Sequence, residues 1–180
     1  MKHLTAIMTS MLIITAAPWP AASEGLTPGD DCTTATNEIS SLPFTDTGTT
    51  TGASNALNLV GPGPCLGVAF PTGSDVIYRI RVDVACTLLV TETPGSAWDA
   101  VIWVVSDCAD PATACVALGD TGGPGSAESL TFSPTPGADY YLVVDGWSGN
   151  SGDYTLNITE LGTTGCSLVV PVELTSFTVG

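Results

Sequence analysis

The stretch Asp75-Val76-Ile77-Tyr78-Arg79-Ile80-Arg81-Val82-Asp83-Val84 decides the fold class. Val76, Tyr78, Ile80, Val82 and Val84 project to one side, while Arg79, Arg81 and Asp83 project to the other. That two-residue period belongs to a strand with one buried face and one wet face. Thr87 to Thr93 follows at once, and is expected either to pair with its predecessor or to cross to a facing sheet. Asp99 to Ser106 carries Val101, Ile102, Trp103, Val104 and Val105 without interruption, which predicts a central strand buried on both faces. Glu128 to Ser133 puts Leu130 and Phe132 on one side. Asp139 to Asp145 and Asp153 to Glu160, joined by residues 146–152, read as a closing hairpin; in its second arm Tyr154, Leu156 and Ile158 alternate with Thr155, Asn157 and Thr159. Upstream, Leu42 to Thr51 predicts an edge strand, and Gly61-Pro62-Gly63-Pro64 a loop. Beyond residue 23 no stretch spaces its apolar residues for a real helix. The pattern predicts an all-β, jelly-roll or Greek-key sandwich of about seven to nine antiparallel strands.

The 180 residues fit one domain plus targeting segments. Residues 1–23 read as a secretory signal: Lys2 and His3 make a short positive start, Ile7 to Ala17 is apolar, and Ala21-Ala22-Ser23 supplies the small residues of a cleavage site. The apolar run is short for a bilayer span. The domain then occupies 24–160, and 161–180 is a linker followed by a terminal β-like segment. Cys32, Cys65, Cys86, Cys108, Cys115 and Cys166 all follow the signal, and an even count in an exported chain predicts a disulfide-braced fold. Cys108 and Cys115 close a short loop through Asp110-Pro111 and are expected to be bridged.

Charge narrows the function. There are 18 Asp and Glu against 3 Lys and Arg, a formal net charge of −15. Without the signal only Arg79 and Arg81 remain as cationic side chains. Binding to nucleic acid or anionic lipid depends on clustered Lys and Arg and is not expected. A processed chain with neither His nor Lys also has no Ser-His-Asp or Cys-His nucleophile, no Schiff base and no histidine-ligated zinc. Two Asp-Thr-Gly triplets, at Asp46 and Asp120, invite comparison with an aspartic-protease pair. Their flanks disagree with that motif, and both are expected to be turns. No catalytic residue is assigned. Calcium is the more plausible chemistry, since Asp beside Gly in loops lets hard oxygen ligands converge. The candidate ligands are Asp30, Asp31, Asp99, Asp120, Asp145 and Asp153. Trp103 is expected in the core. Trp98 and Trp147, at strand ends or in loops, are candidates for contact with a sugar or peptide.

The ordered succession Asp30-Asp31-Cys32, Leu42-Pro43-Phe44 with Thr47-Gly48-Thr49-Thr50, Asp75-Val76-Ile77-Tyr78, Trp98-Asp99-Ala100-Val101-Ile102, Asp107-Cys108, Tyr140 to Gly146 and Ser151 to Leu156 resembles the bacterial pre-peptidase C-terminal domain family. The likeness spans about residues 28–160. It implies a jelly-roll-like sandwich appended to secreted enzymes, often peptidases, and serving substrate attachment, folding or secretion; here the module is expected to follow the signal almost directly, with no peptidase domain ahead of it. Pro171-Val172-Glu173-Leu174-Thr175-Ser176-Phe177 resembles the segment that precedes type IX secretion sorting domains. The expected function is a secreted, non-catalytic accessory module, extracellular or at a bacterial cell surface. It would engage an extracellular polysaccharide or protein and be stabilised by calcium. The rival is a structural or adhesive surface component that self-associates or contacts matrix.

Overall fold

A computed structural model describes residues 29, 32–33, 37–60, 63–65, 71–95, 97–162 and 165–168. The signal at 1–23, the candidate ligands Asp30 and Asp31, and the sorting-like segment 171–177 lie outside the described residues. Nine strands occur among the described residues: β1 (Asn37–Glu38), β2 (Phe44–Thr49), β3 (Val76–Arg81), β4 (Leu88–Pro94), β5 (Ala100–Val105), β6 (Cys115–Gly119), β7 (Glu128–Phe132), β8 (Asp139–Gly146) and β9 (Asp153–Glu160). They form a five-stranded sheet ordered β1-β3-β8-β5-β6 and a four-stranded sheet ordered β2-β9-β4-β7. The fold is all-β, as the alternation predicts. Its one departure from antiparallel pairing is the short β1, which runs parallel to β3.

The predicted alternation places the main core between the sheets. Val76, Tyr78 and Ile80 of β3, Leu88 and Val90 of β4, and Tyr154, Leu156 and Ile158 of β9 all face it. Val82 joins them, but Val84 is exposed, because the strand has ended by then. β4 crosses to the facing sheet and β2 lies at its edge. β5 is buried at every position, as its unbroken apolar run requires. Ala100, Ile102 and Val104 look into the sandwich, whereas Val101, Trp103 and Val105 look outward into a second core with Ile77, Val143, Leu57 and Leu59. The last two come from an irregular segment that covers the outside of the five-stranded sheet.

Three expectations are corrected. β8 and β9 do not form a hairpin: β8 pairs with β3 and β5, while β9 pairs with β2 and β4 in the other sheet. The connection at 146–152 is an arch between sheets. A one-sided apolar period is satisfied equally by either arrangement, since both arms still face one core. Cys108 and Cys115 are not bridged to each other. Cys108 pairs with Cys32, Cys115 with Cys65 and Cys86 with Cys166. A helical turn, α1 (Pro111–Ala114), separates the two, after which Cys115 opens β6 buried in the second core. Each therefore meets a thiol contributed by a covering segment rather than its neighbour in sequence. Finally, Asp46-Thr47-Gly48 is no turn but lies within β2, paired with Leu156, Thr155 and Tyr154; the second triplet follows β6 in a loop.

Candidate functional site at the loop end

The registers bring one set of connections to a single end of the sandwich. β3 starts at Val76 opposite Val144, β5 starts at Ala100 opposite Gly146, and β6 stops at Gly119 opposite Ile102. In the other sheet β2 and β4 stop opposite Asp153 and Tyr154, where β9 begins. Residues 71–75, 95, 97–99, 120–127 and 146–152 therefore share one end. Backbone bonds lace them: Trp147 N donates to Asp99 O at 2.9 Å, Gly73 N to Gly146 O at 3.0 Å, and Gly125 N to Trp98 O at 2.9 Å. In the 146–152 arch, Ser148 (φ 50°) and Gly149 (φ 85°) turn the chain, and Asn150 N donates back to Trp147 O at 3.1 Å. A side chain on Gly146 would collide with the Asn150 carbonyl, so glycine lets the arch close over the sheet.

Of the predicted calcium ligands, Asp99, Asp120, Asp145 and Asp153 all lie at or beside this end. They differ in environment. Asp153 is exposed, and Asp99 and Asp120 are half-buried. Asp145 is fully buried; its Oδ1 accepts Gly73 N at 2.9 Å and Gly146 N at 2.6 Å, while Oδ2 has no hydrogen bond. Burial above all, with the neighbouring Asp75 charge, pushes its carboxyl up to about 8, although the two amides and the Trp103 indole oppose the rise. Among the described residues no three carboxylate, cysteine or histidine side chains converge as metal ligands.

Trp98 and Trp147 part company. Trp98 is 4% exposed in the main core, and its Nε1 donates to Asp153 O at 2.9 Å. Its ring is committed to packing and offers no face to a ligand. Trp147 is 39% exposed on the arch.

Four carboxylates outside the predicted set lie at or near this end, and two of them, Asp75 and Glu128, tie its loops together. Asp75 is fully buried and accepts Ala56 N at 3.1 Å and Leu57 N at 2.8 Å, which ties down the segment carrying Leu57 and Leu59 over the second core. Glu128 accepts Thr121 N at 2.8 Å and Gly122 N at 2.7 Å, clasping the loop after β6. Glu92, directly across from Glu128 in the β4–β7 ladder, is fully buried with neither carboxylate oxygen hydrogen-bonded. Burial and then the Glu128 charge push its carboxyl up to about 8. Burial, with Glu128 and Asp99, raises Asp120 as well. The fourth, Asp46, accepts from the Tyr78 hydroxyl at 2.8 Å. A signal for three of these was present: Asp46 follows the phase of Phe44, Glu92 that of Leu88 and Val90, and Glu128 that of Leu130 and Phe132. An acid in the inward phase marks a buried carboxylate. The two arginines give this end no neutralisation, because Arg79 pairs with Glu38 at 3.1 Å and Arg81 with Asp139 at 3.8 Å.

The chain matches no family model and no curated protein sequence. Among solved structures it is similar to the pre-peptidase C-terminal domain of a collagenase from Bacillus anthracis. Identity is 20% over 68% of this chain and 93% of that one, with a TM-score of 0.44. That domain bears the name of the family whose motifs the sequence resembles.

Proposed function

We propose that this protein is a secreted, non-catalytic accessory module whose loop end holds an extracellular polymer or protein. The observation that carries the reading is Trp147: a 39% exposed indole on a tightly turned, hydrogen-bonded arch. Its position is set before any partner arrives, and a preorganised aromatic loses little freedom on contact. Three disulfides suit an oxidising compartment outside the cytosol, and the signal-like residues 1–23 support the same route. The two Asp-Thr-Gly aspartates stand apart, Asp46 on the edge strand β2 and Asp120 beyond β6 at the edge of the other sheet. No shared-proton pair is built from them. Calcium belongs to the proposal through Asp99 and Asp120. Burial, then the Glu128 and Asp99 charges, raise the Asp120 carboxyl, Asp99 Oδ1 is buried without a hydrogen bond, and backbone oxygens of the same loops would complete an oxygen-rich shell.

The test is retention of the processed protein on polysaccharide and protein matrices, with and without calcium. Trp147→Ala should lower retention at least about tenfold while leaving the melting curve unchanged, and calcium should raise the melting temperature above that in EDTA. Full retention by the Trp147→Ala protein removes the arch from the binding surface. A protein that assembles with itself on size exclusion and holds no matrix favours the structural, self-associating alternative.

A further inference from the structure

The four-stranded sheet turns its acids inward and its hydroxyls outward. Asp46, Glu92 and Glu128 occupy inward positions of β2, β4 and β7. The outward positions form rows across the strands, fixed by the registers. One row runs Thr45, Asn157, Thr91, Ser129; the next runs Thr47, Thr155, Thr93. The first is already linked laterally, with Thr45 Oγ1 donating to Asn157 Oδ1 at 2.9 Å and Ser129 Oγ to Thr91 Oγ1 at 3.2 Å. Strand geometry spaces the grid at about 4.8 Å across and about 6.8 Å along the sheet. At its loop-end margin the face sinks into a trough of about 510 Å³ lined by Thr47, Gly48, Thr49, Gly95, Asp153, Tyr154 and Thr155. Among the described residues Asp153 is the one ionisable outward side chain on these four strands.

On a chain of net charge −15, a face with a single carboxylate at its rim selects a partner by something other than charge. Each hydroxyl donates once and accepts twice, which is the hydrogen-bonding character of a sugar hydroxyl. Gly95 leaves the trough without a side-chain wall beside Asp153, and the Asp153 carboxylate can accept from two adjacent hydroxyls at once. We propose that this face, entered at the trough, binds a neutral polysaccharide chain. The inference rests on the extracellular-polymer reading above, names its polymer class and extends the contact from Trp147 onto the sheet face.

The test uses the processed protein with amorphous cellulose, chitin and starch as probes. Retention is expected on at least one of them and should persist from low to molar NaCl, because no charge pair is involved. The double variant Thr47→Val/Thr155→Val keeps the side-chain shape and the β preference but removes two hydroxyls, and should bind about tenfold more weakly with an unchanged melting temperature. Thr47→Ser/Thr155→Ser should restore binding. Equal retention by the valine variant, or loss of retention in molar salt, overturns the proposal. Binding to gelatin but to none of the three polysaccharides overturns it too, while leaving the accessory-module reading intact. Failure on every matrix sinks both.

Discussion

Removing the Tyr78 hydroxyl probes how the two sheets are joined. Tyr78 on β3 belongs to the five-stranded sheet, whereas Asp46 and Tyr154 belong to the four-stranded one. The Tyr78 hydroxyl donates to Asp46 Oδ2 at 2.8 Å and lies 2.7 Å from the Tyr154 hydroxyl. Its one proton goes to the carboxylate, so Tyr154 donates to Tyr78. Burial above all raises both phenols well beyond the ordinary tyrosine range, so neither ionises at working pH and the chain stays intact. Tyr78→Phe deletes a charge-assisted bond and also orphans the buried Tyr154 hydroxyl, a loss of about 3 kcal/mol. Tyr154→Phe deletes one neutral bond, about 1 kcal/mol, and leaves Tyr78 still donating to Asp46. In the double variant the orphaned hydroxyl is gone, so its loss should match that of Tyr78→Phe alone, with a coupling of about 1 kcal/mol. Urea unfolding followed by tryptophan fluorescence, disulfides intact, reads these values as midpoint shifts at constant slope. A loss under about 0.5 kcal/mol for Tyr78→Phe, or additive losses in the double variant, would refute the chain of hydrogen bonds.

Two further outcomes follow from the same geometry. Replacing Cys65 and Cys115 by alanine opens a link across a sequence separation of 50 residues, and the loop-entropy argument gives a loss of about 4 kcal/mol; non-reducing peptide mapping of the native protein should find Cys65 with Cys115 and Cys32 with Cys108, and a Cys108–Cys115 peptide would contradict the fold. The folded carboxyls of Glu92 and Asp145, at about 8, lie above their ordinary values of 4.5 and 3.8, so the folded chain keeps protons that the unfolded chain releases. The stability these two groups contribute is then full below about pH 4 and is lost as pH rises to about 8. Thermal melting from pH 5 to 9 should show the decline, and Glu92→Gln should flatten it; a melting temperature that rises across that range would contradict the buried acids.

Strand identity was legible in the sequence because side-chain period is local. β3, β5, β7, β8 and β9 lie within a residue or two of where alternation puts them, apart from the overlong reading of β3 past Arg81. β1 and β6 went unread. The first is two residues long, and the second, Cys115-Val116-Ala117-Leu118-Gly119, has too little alternation to separate it from the preceding turn. At the candidate site, the expected Asp99, Asp120, Asp145 and Asp153 reach one end, but their environments were not legible. Nothing near Asp145 in sequence announces that Gly73 caps it, and nothing near Trp98 announces the Asp153 carbonyl. Gly48 has a reason visible only in three dimensions, since a side chain there would strike the Tyr154 hydroxyl.

By itself the sequence determined the all-β class, the inward and outward faces of the long strands, and the strongly acidic net charge. Each of these follows from the period or the total of side-chain types, which need no knowledge of neighbours. Tertiary structure alone decided that β8 and β9 part to opposite sheets, which thiols meet, that Trp98 is buried while Trp147 is exposed, and that Glu92 faces Glu128 across the β4–β7 ladder. Those are pairings between residues far apart in the chain. They are settled by which surfaces exclude water together, and a pattern read along one strand carries no record of what lies across from it.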